Sequence, residues 1–425
     1  MRIRINNGHI IDPKNNIDSK GDICIAEGKI IFSLENTADF SADKEIDASG
    51  KLVCPGLIDL CAHFREPGLE YKATILSESI AAASAGVTTI CCPPVTQPVI
   101  DTPAVVELIN QRAEAVNKTR IYCLGALTHG LAGERLSEMH TLKQAGCVGV
   151  TNGYLPLAST EILRRAMEYA ASNDIRVFLY PEDHSLRNNG VAHEGPVSTR
   201  LGLPPIPETA ETVAVCQALL LVEQSGVELH FCRLSAARSI SMIANAKQTG
   251  LPVTADVAIS YLYLSENDVD NYNVNCHLQP PLRTSQDMQA LRNGIAEGVI
   301  DVVCSDHQPH DDDAKSAPFS ETEAGASTIE LLFPLINELV NNNTITLMDA
   351  IASLTIKPAG ILGLELGSLS VGANADVAIF DTKQQWTVDK HKLLSAGKNT
   401  PFIGKKLTGK ATHTLLQGRI VYQQN

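Results

Sequence analysis

The chain has 425 residues, 44% of them apolar, and a formal net charge of −14. This is enough to bury a large core, one barrel-sized domain plus a smaller one. The acidic balance argues against a nucleic-acid backbone as partner, and there is no run of about 18 apolar residues to span a membrane.

The opening Met1-Arg-Ile-Arg-Ile-Asn-Asn7 lacks the apolar segment of a signal peptide, so a soluble, cytoplasmic protein is expected. Residues 2–54 then show short alternating segments with turn signals: Arg2-Ile-Arg-Ile5, Asn7-Gly8, Asp22-Ile-Cys-Ile25, Glu27-Gly28 and Lys29-Ile-Ile-Phe32. Such a pattern predicts a small antiparallel β unit.

From Leu52 onward the pattern changes to apolar strands followed by amphipathic helices. Strands are predicted at Leu52–Phe64, Val87–Cys92, Arg120–Leu127, Val148–Asn152, Arg176–Tyr180, Val227–Leu234, Pro252–Val257 and Val299–Ser305. Helices are predicted at Ser77–Ala85, Pro103–Ala115, Thr160–Ala171, Pro207–Gln224 and Ala236–Gln248. Gly86, Gly146, Gly226 and Gly250 stand where helices commonly terminate. The far end returns to short strands at Ala375–Asp381, Trp386-Thr-Val388 and Thr412–Tyr422, and is expected to fold with the N-terminal segment.

Eight strands alternating with helices predict an α/β fold, a (β/α)8 TIM barrel over residues 55–363. Residues 1–54 and 364–425 supply the two halves of a small composite β-sandwich. The 11 cysteines, an odd number scattered through apolar runs without a paired Cys-x-x-Cys, read as reduced buried thiols. Asp311-Asp-Asp313 reads as a solvated loop.

Chemistry in such a barrel sits at the C-terminal strand ends. The first strand ends in Asp59-Leu-Cys-Ala-His63, followed by Arg65. Zinc hydrolases on this scaffold typically end that strand in Asp-x-His-x-His, so Cys61 stands where the first imidazole is expected. The eighth strand ends in Cys304-Ser-Asp-His-Gln-Pro-His310, with Asp306 able to act as ligand or base and His307 and His310 beyond it.

The chain resembles the bacterial dihydroorotases of the amidohydrolase superfamily along nearly its whole length. Carrying segments are Asp47–Asp59, Phe64-Arg-Glu-Pro-Gly68, Ala85-Gly-Val-Thr-Thr89, His193–Pro207, Pro280-Pro-Leu-Arg283, Asp306-His-Gln-Pro-His310 and Lys357–Leu364. The resemblance implies a barrel of the metal-dependent hydrolase type holding two zinc ions on four histidines and two carboxylates, one bridging. The zinc activates water for attack on a cyclic amide, and the strand-eight aspartate moves the proton. Laid on that pattern, the first histidine is Cys61, the second is His63, and the bridging carboxylate is Asn152. Tyr180 and Arg233 replace two further histidines, and Asp306 is intact. Four of six ligands are lost. The substrate loop reads Pro93-Pro-Val-Thr96, and Gln279 replaces an asparagine, whereas Arg65 and His310 persist as remnants of the substrate site.

The expectation is a catalytically inactive dihydroorotase-like protein without a cofactor. The family resemblance further implies assembly with the catalytic chain of aspartate carbamoyltransferase, the preceding enzyme of pyrimidine synthesis, and a homo-oligomer. Arg233 is expected to replace the metal's charge and pair with Asp306, unless it swings to solvent, and Tyr180 to act in packing. Two alternatives stay open. One is an active dihydroorotase or related cyclic amidohydrolase with zinc rebuilt on Cys61, His63, Asp306 and His307 or His310. The other is a free-standing scaffold similar to the metal-less dihydropyrimidinase relatives.

Overall fold

At Gly56 the backbone changes sheets. Leu52–Phe64, expected as one strand, divides into Leu52–Pro55 and Leu57–Asp59. Gly56 N–H donates to Asp376 O at 2.9 Å, and Leu57 N–H donates to Gly86 O at 2.9 Å, so hydrogen bonding passes from the C-terminal segment to the barrel within one residue. A Cβ at position 56 would lie 2.3 Å from Thr88 side-chain atoms, which explains why the crossing point is glycine.

The computed structural model describes residues 1–33 and 40–424. Both chain ends enter one eight-stranded sheet. Leu52–Pro55 lies at its centre, parallel to Ile3–Asp12 (Ile10 beside Val53) and antiparallel to Val377–Thr387 (Val53 beside Ile379). Alternation in the opening segment buries Ile3 and Ile5. They join Ile23, Ile25, Val53, Val377, Ile379 and Leu415 in a core built from both termini.

The barrel strands are Leu57–Asp59, Val87–Cys92, Arg120–Cys123 continuing into Gly125–Ala126, Val150–Thr151, Val177–Leu179, Leu229–Phe231, Val253–Ala258 and Val302–Cys304. Successive strands pair in parallel. A bridge between Ala62 and His307 brings the eighth strand back to the first, reinforced by His63 N–H donating to His307 O at 2.8 Å. Val87–Cys92 is buried at every position, as a parallel strand covered on both faces requires. The fold is therefore a (β/α)8 barrel with a composite β-sandwich from both termini.

The first helix, Ile75–Ser84, begins two residues before the predicted start because Thr74 caps it, its hydroxyl accepting from Ser77 N–H at 3.1 Å. That helix is tied to the barrel mouth by Glu78, whose Oε2 lies 2.6 Å from His307 Nε2, both side chains being fully buried. Ten of the cysteines are buried and Cys216 is exposed. Asp311-Asp-Asp313, expected as a loop, opens a short 3-10 helix, Asp312–Lys315, with Asp312 and Asp313 exposed. Among the described residues no helix is long and apolar enough to cross a membrane.

Candidate metal and substrate site

The strand ends deliver Cys61, His63, Arg65, Asn152, Tyr180, Arg233, Asp306 and His310 to the barrel mouth, all buried. Arg65, Arg233 and Asp306 have left-handed backbones, with φ of 62°, 53° and 48°. Such conformations cost energy for non-glycine residues and persist where surrounding structure fixes them. Here they aim side chains across the mouth.

Arg233 is the hub. Its Nη1 donates to Cys61 Sγ at 3.1 Å, and its Nε stands 3.7 Å from Asp306 Oδ1. The guanidinium carbon lies 4.7 Å from the Tyr154 ring centroid and 5.6 Å from that of Tyr180, and the two rings meet edge to face at 4.6 Å. Cation–π contact thus supports a charge that cannot be discharged at neutral pH. Its backbone N–H donates to Asp256 Oδ1 at 2.6 Å, fixing the base of the side chain. Of the two orientations weighed from sequence, the structure adopts the inward one. The hydrogen bond, however, goes to Cys61, and the contact with Asp306 is a longer ion pair.

Asp306 finds its nearest partner in Tyr154, a residue that no sequence motif marks. Tyr154 Oη donates to Asp306 Oδ1 at 2.7 Å, and Gln308 Nε2 donates to Asp306 Oδ2 at 3.2 Å. Burial raises the Asp306 carboxyl above its usual range, and Arg233 and then Tyr154 oppose that rise. Tyr154 is itself pushed well above the usual phenol value by burial, so it stays a donor.

Asn152 does not face the mouth as a ligand. Its Oδ1 accepts from Thr128 Oγ1 at 2.7 Å, while Nδ2 donates to Leu155 O at 3.1 Å and Pro156 O at 3.2 Å. The amide anchors the loop that carries Tyr154. Tyr180 Oη donates to Glu182 Oε1 at 3.2 Å, so Tyr180 has a polar role besides packing. A cavity of about 260 Å³ beside the mouth is lined by Asn152, Leu155, Tyr180 and Glu182, but not by Cys61, His63, Arg233 or Asp306.

Arg65 Nε donates to Pro309 O at 3.0 Å, and its Nη2 lies 3.2 Å from His310 Nε2. Lys72 Nζ, 3.4 Å from His310 Nδ1, adds a third basic group and pairs with Glu323. Burial first, and then Arg65 and Lys72, push His310 down to about 2, so the ring is neutral.

Two donor clusters stand out. His230, Cys232 and Asp256 lie deep in the barrel, with His230 Nε2 2.9 Å from Asp256 Oδ2 and Nδ1 2.8 Å from Thr254 Oγ1. Both ring nitrogens are thereby engaged. Cys61, His63 and Asp306 present ligand atoms within 4.8 Å of one another, and His63 Nε2 is buried without a hydrogen-bond partner. Burial, then Arg65 and Arg233, hold His63 well below its ordinary value, in the neutral form that ligates metals.

A parallel barrel with a composite sandwich and a donor cluster on its first and eighth strand ends defines a protein of the amidohydrolase superfamily. The sequence matches the dihydro-orotase-like family over residues 50–239 and the amidohydrolase family over 252–422. A dihydroorotase-like protein of Pseudomonas aeruginosa is 46% identical over 423 residues, covering 100% of both chains. A dihydroorotase of Geobacter sp. strain M21 is 40% identical, again over 100% of both. The chain belongs to the dihydroorotase family. Among solved structures, the L-hydantoinase (dihydropyrimidinase) of Arthrobacter aurescens shares the fold, with a TM-score of 0.90 at 24% identity over 100% of this chain and 96% of that one.

The expectation of no cofactor is corrected by these findings. The family is one for which the resemblance implies zinc, and Cys61, His63 and Asp306 form a candidate metal-binding group around an unpartnered imidazole nitrogen. Sulfur, nitrogen and oxygen donors suit a borderline ion such as zinc, and three protein ligands suffice for one open site. In place of a bridging carboxylate and two imidazoles, Asn152, Tyr180 and Arg233 offer the mouth an anchored amide, a neutral phenol and a cation, so the two-ion ligand set that the resemblance implies is incomplete.

Proposed function

We propose that this chain is a dihydroorotase-family protein of pyrimidine biosynthesis that does not open the dihydroorotate ring and acts as a structural partner of the aspartate carbamoyltransferase catalytic chain. The observation that carries the first half is Arg233. Its guanidinium fills the space between Cys61, Asp306, Tyr154 and Tyr180, where the family pattern calls for a ligand histidine and the second ion. With Asn152 turned to loop anchoring, no carboxylate bridges two ions there. The second half is supported by the retained scaffold: the glycine crossing, the closed barrel and the two-ended sheet all persist around an altered mouth, as expected when the outer surface is what is used. We place it in the cytoplasm, as a homo-oligomer within that assembly.

Purification from the native host, with subunits identified by mass, tests the partnership, and a dihydroorotate assay on the same material tests the chemistry. Co-elution with the transferase and no turnover is the expected result. Free chain alone would overturn the assembly role, and turnover abolished by Asp306→Ala would overturn the loss of activity. The unpartnered His63 Nε2 favours one second reading, a mononuclear cyclic amidohydrolase on Cys61, His63 and Asp306, to which that last outcome would point.

A further inference from the structure

We infer that Arg233 is an internal counter-cation that competes with a divalent metal ion for the Cys61–His63–Asp306 cluster, so that metal occupancy of the barrel mouth is set by where this one side chain sits. The inference holds whether or not the chain assembles with a transferase.

Three observations converge on it. First, the cluster is a ligand set with one member unused: His63 Nε2 is buried and has no hydrogen-bond partner, although buried imidazole nitrogens are ordinarily satisfied. Second, the other two ligands are engaged by the same cation, Cys61 Sγ through a 3.1 Å hydrogen bond and Asp306 Oδ1 through a 3.7 Å ion pair. An ion held by Cys61 and Asp306 would therefore stand close to the guanidinium and lose the donor capacity that Arg233 now uses. Third, the guanidinium also lies over the rings of Tyr154 and Tyr180, contacts that do not use the three ligand atoms. These let the side chain remain inside the mouth while giving up Cys61 and Asp306.

The exchange balances in charge and protons. On binding, the thiol releases its proton to solvent and the thiolate becomes a ligand, with neutral His63 and the Asp306 carboxylate completing three. Repulsion from Arg233, whose guanidinium stands beside two of the three ligands, opposes that binding. Removing its charge at so short a range should tighten binding by at least about tenfold even with partial screening.

The test is titration of the metal-stripped full chain with cobalt(II), followed by the thiolate-to-cobalt absorption, with zinc displacement to confirm a shared site. Native protein is compared with Arg233→Met, Arg233→Gln, Arg233→Lys and the double variant Arg233→Met with Cys61→Ser. Expected are one cobalt per chain in Arg233→Met or Arg233→Gln, at least about tenfold tighter than native, with a sulfur band lost in the double variant. Arg233→Lys, which keeps the charge, should stay as weak as native. Equal affinity in native and neutral variants would overturn the inference, as would no binding in any of them. Melting curves identify any neutral variant that fails to fold; if both fail, tight cobalt binding by the native chain still overturns it.

Discussion

Arg233 Nε stands 3.7 Å from Asp306 Oδ1 with both side chains almost wholly enclosed, at 6% and 9% exposure. Removing one member of such a pair leaves a buried charge without its partner, at a cost of about 3–5 kcal/mol. Arg233→Met should therefore lower the melting temperature of the metal-free protein more than the double change Arg233→Met with Asp306→Asn. With the single change Asp306→Asn measured beside them, the loss in the double variant minus the two single losses gives the coupling, which for contacting residues is commonly about 0.5–3 kcal/mol. Additive losses would mean that the two side chains are held independently, by Cys61 and Tyr154.

Tyr154 supplies the shortest contact that Asp306 makes, 2.7 Å from hydroxyl to carboxylate. Tyr154→Phe keeps the ring under Arg233 and removes the hydroxyl, which donates to Asp306 and accepts from Gln308 Nε2 at 3.1 Å, leaving Gln308 Nε2 on the other carboxylate oxygen. Hydrogen bonds to a charged partner contribute about 1.5–3 kcal/mol. A stability loss of that size is expected in chemical denaturation, with no change in the fold by circular dichroism. A loss well below 1 kcal/mol would show that Asp306 is adequately held without it.

The barrel and sandwich are legible because their signals are local and repeated: alternating isoleucines near the N-terminus, strand and helix periods in turn, and glycine after several of the helices, as at Gly86, Gly226 and Gly250. Cys61, His63 and Asp306 are legible because strand ends in a parallel barrel converge by topology, and Arg233 because the resemblance to the dihydroorotases implies a ligand histidine at its position. Tyr154 is not, since a Gly153-Tyr-Leu-Pro156 loop has no period, and only a lone aromatic just beyond a strand end marks it. Asn152 was read as a lost carboxylate. Its second role, four residues of loop held by one amide, depends on carbonyl positions that no side-chain pattern encodes. The break at Gly56 was missed for a similar reason: two apolar strands in tandem look like one, and only the proximity of Thr88 separates them.

Cys61→His alone should not create dihydroorotase activity. It restores one imidazole on the first strand but leaves Asn152, Tyr180 and Arg233 in place, with the guanidinium still beside Asp306. No bridging carboxylate appears, and metal assistance to the attacking water depends on ligands fixed in the right number and position. The check is a dihydroorotate assay on the zinc-loaded variant. Turnover above the native chain that vanishes with Asp306→Ala would mean that one ligand was limiting.

Acidification should unfold the protein in a way that traces to buried neutral histidines. His277 is pushed down to about 4 by burial and then by Lys315 and Arg187, and His310 to about 2 by burial and then by Arg65 and Lys72. In the unfolded chain both take up protons near pH 6.5. Between pH 6.5 and about 4 the unfolded state therefore binds more protons than the folded one, and stability falls as pH falls, by up to about 1.4 kcal/mol per pH unit for each ring. Asp59 acts in the opposite sense, because burial raises it to about 6 despite its hydrogen bonds from Ser305 and Cys61. Over the same range the folded state holds the Asp59 proton more tightly than the unfolded one, which offsets part of the loss. The single-residue contribution is isolated by comparing the native chain with His277→Asn, which removes one titrating ring together with its contact to Thr322. Melting temperatures measured from pH 7 to pH 5 should fall less steeply in the variant, by about one proton's worth of slope at the acid end. Equal slopes would show that His277 is protonated in the folded state as readily as in the unfolded one.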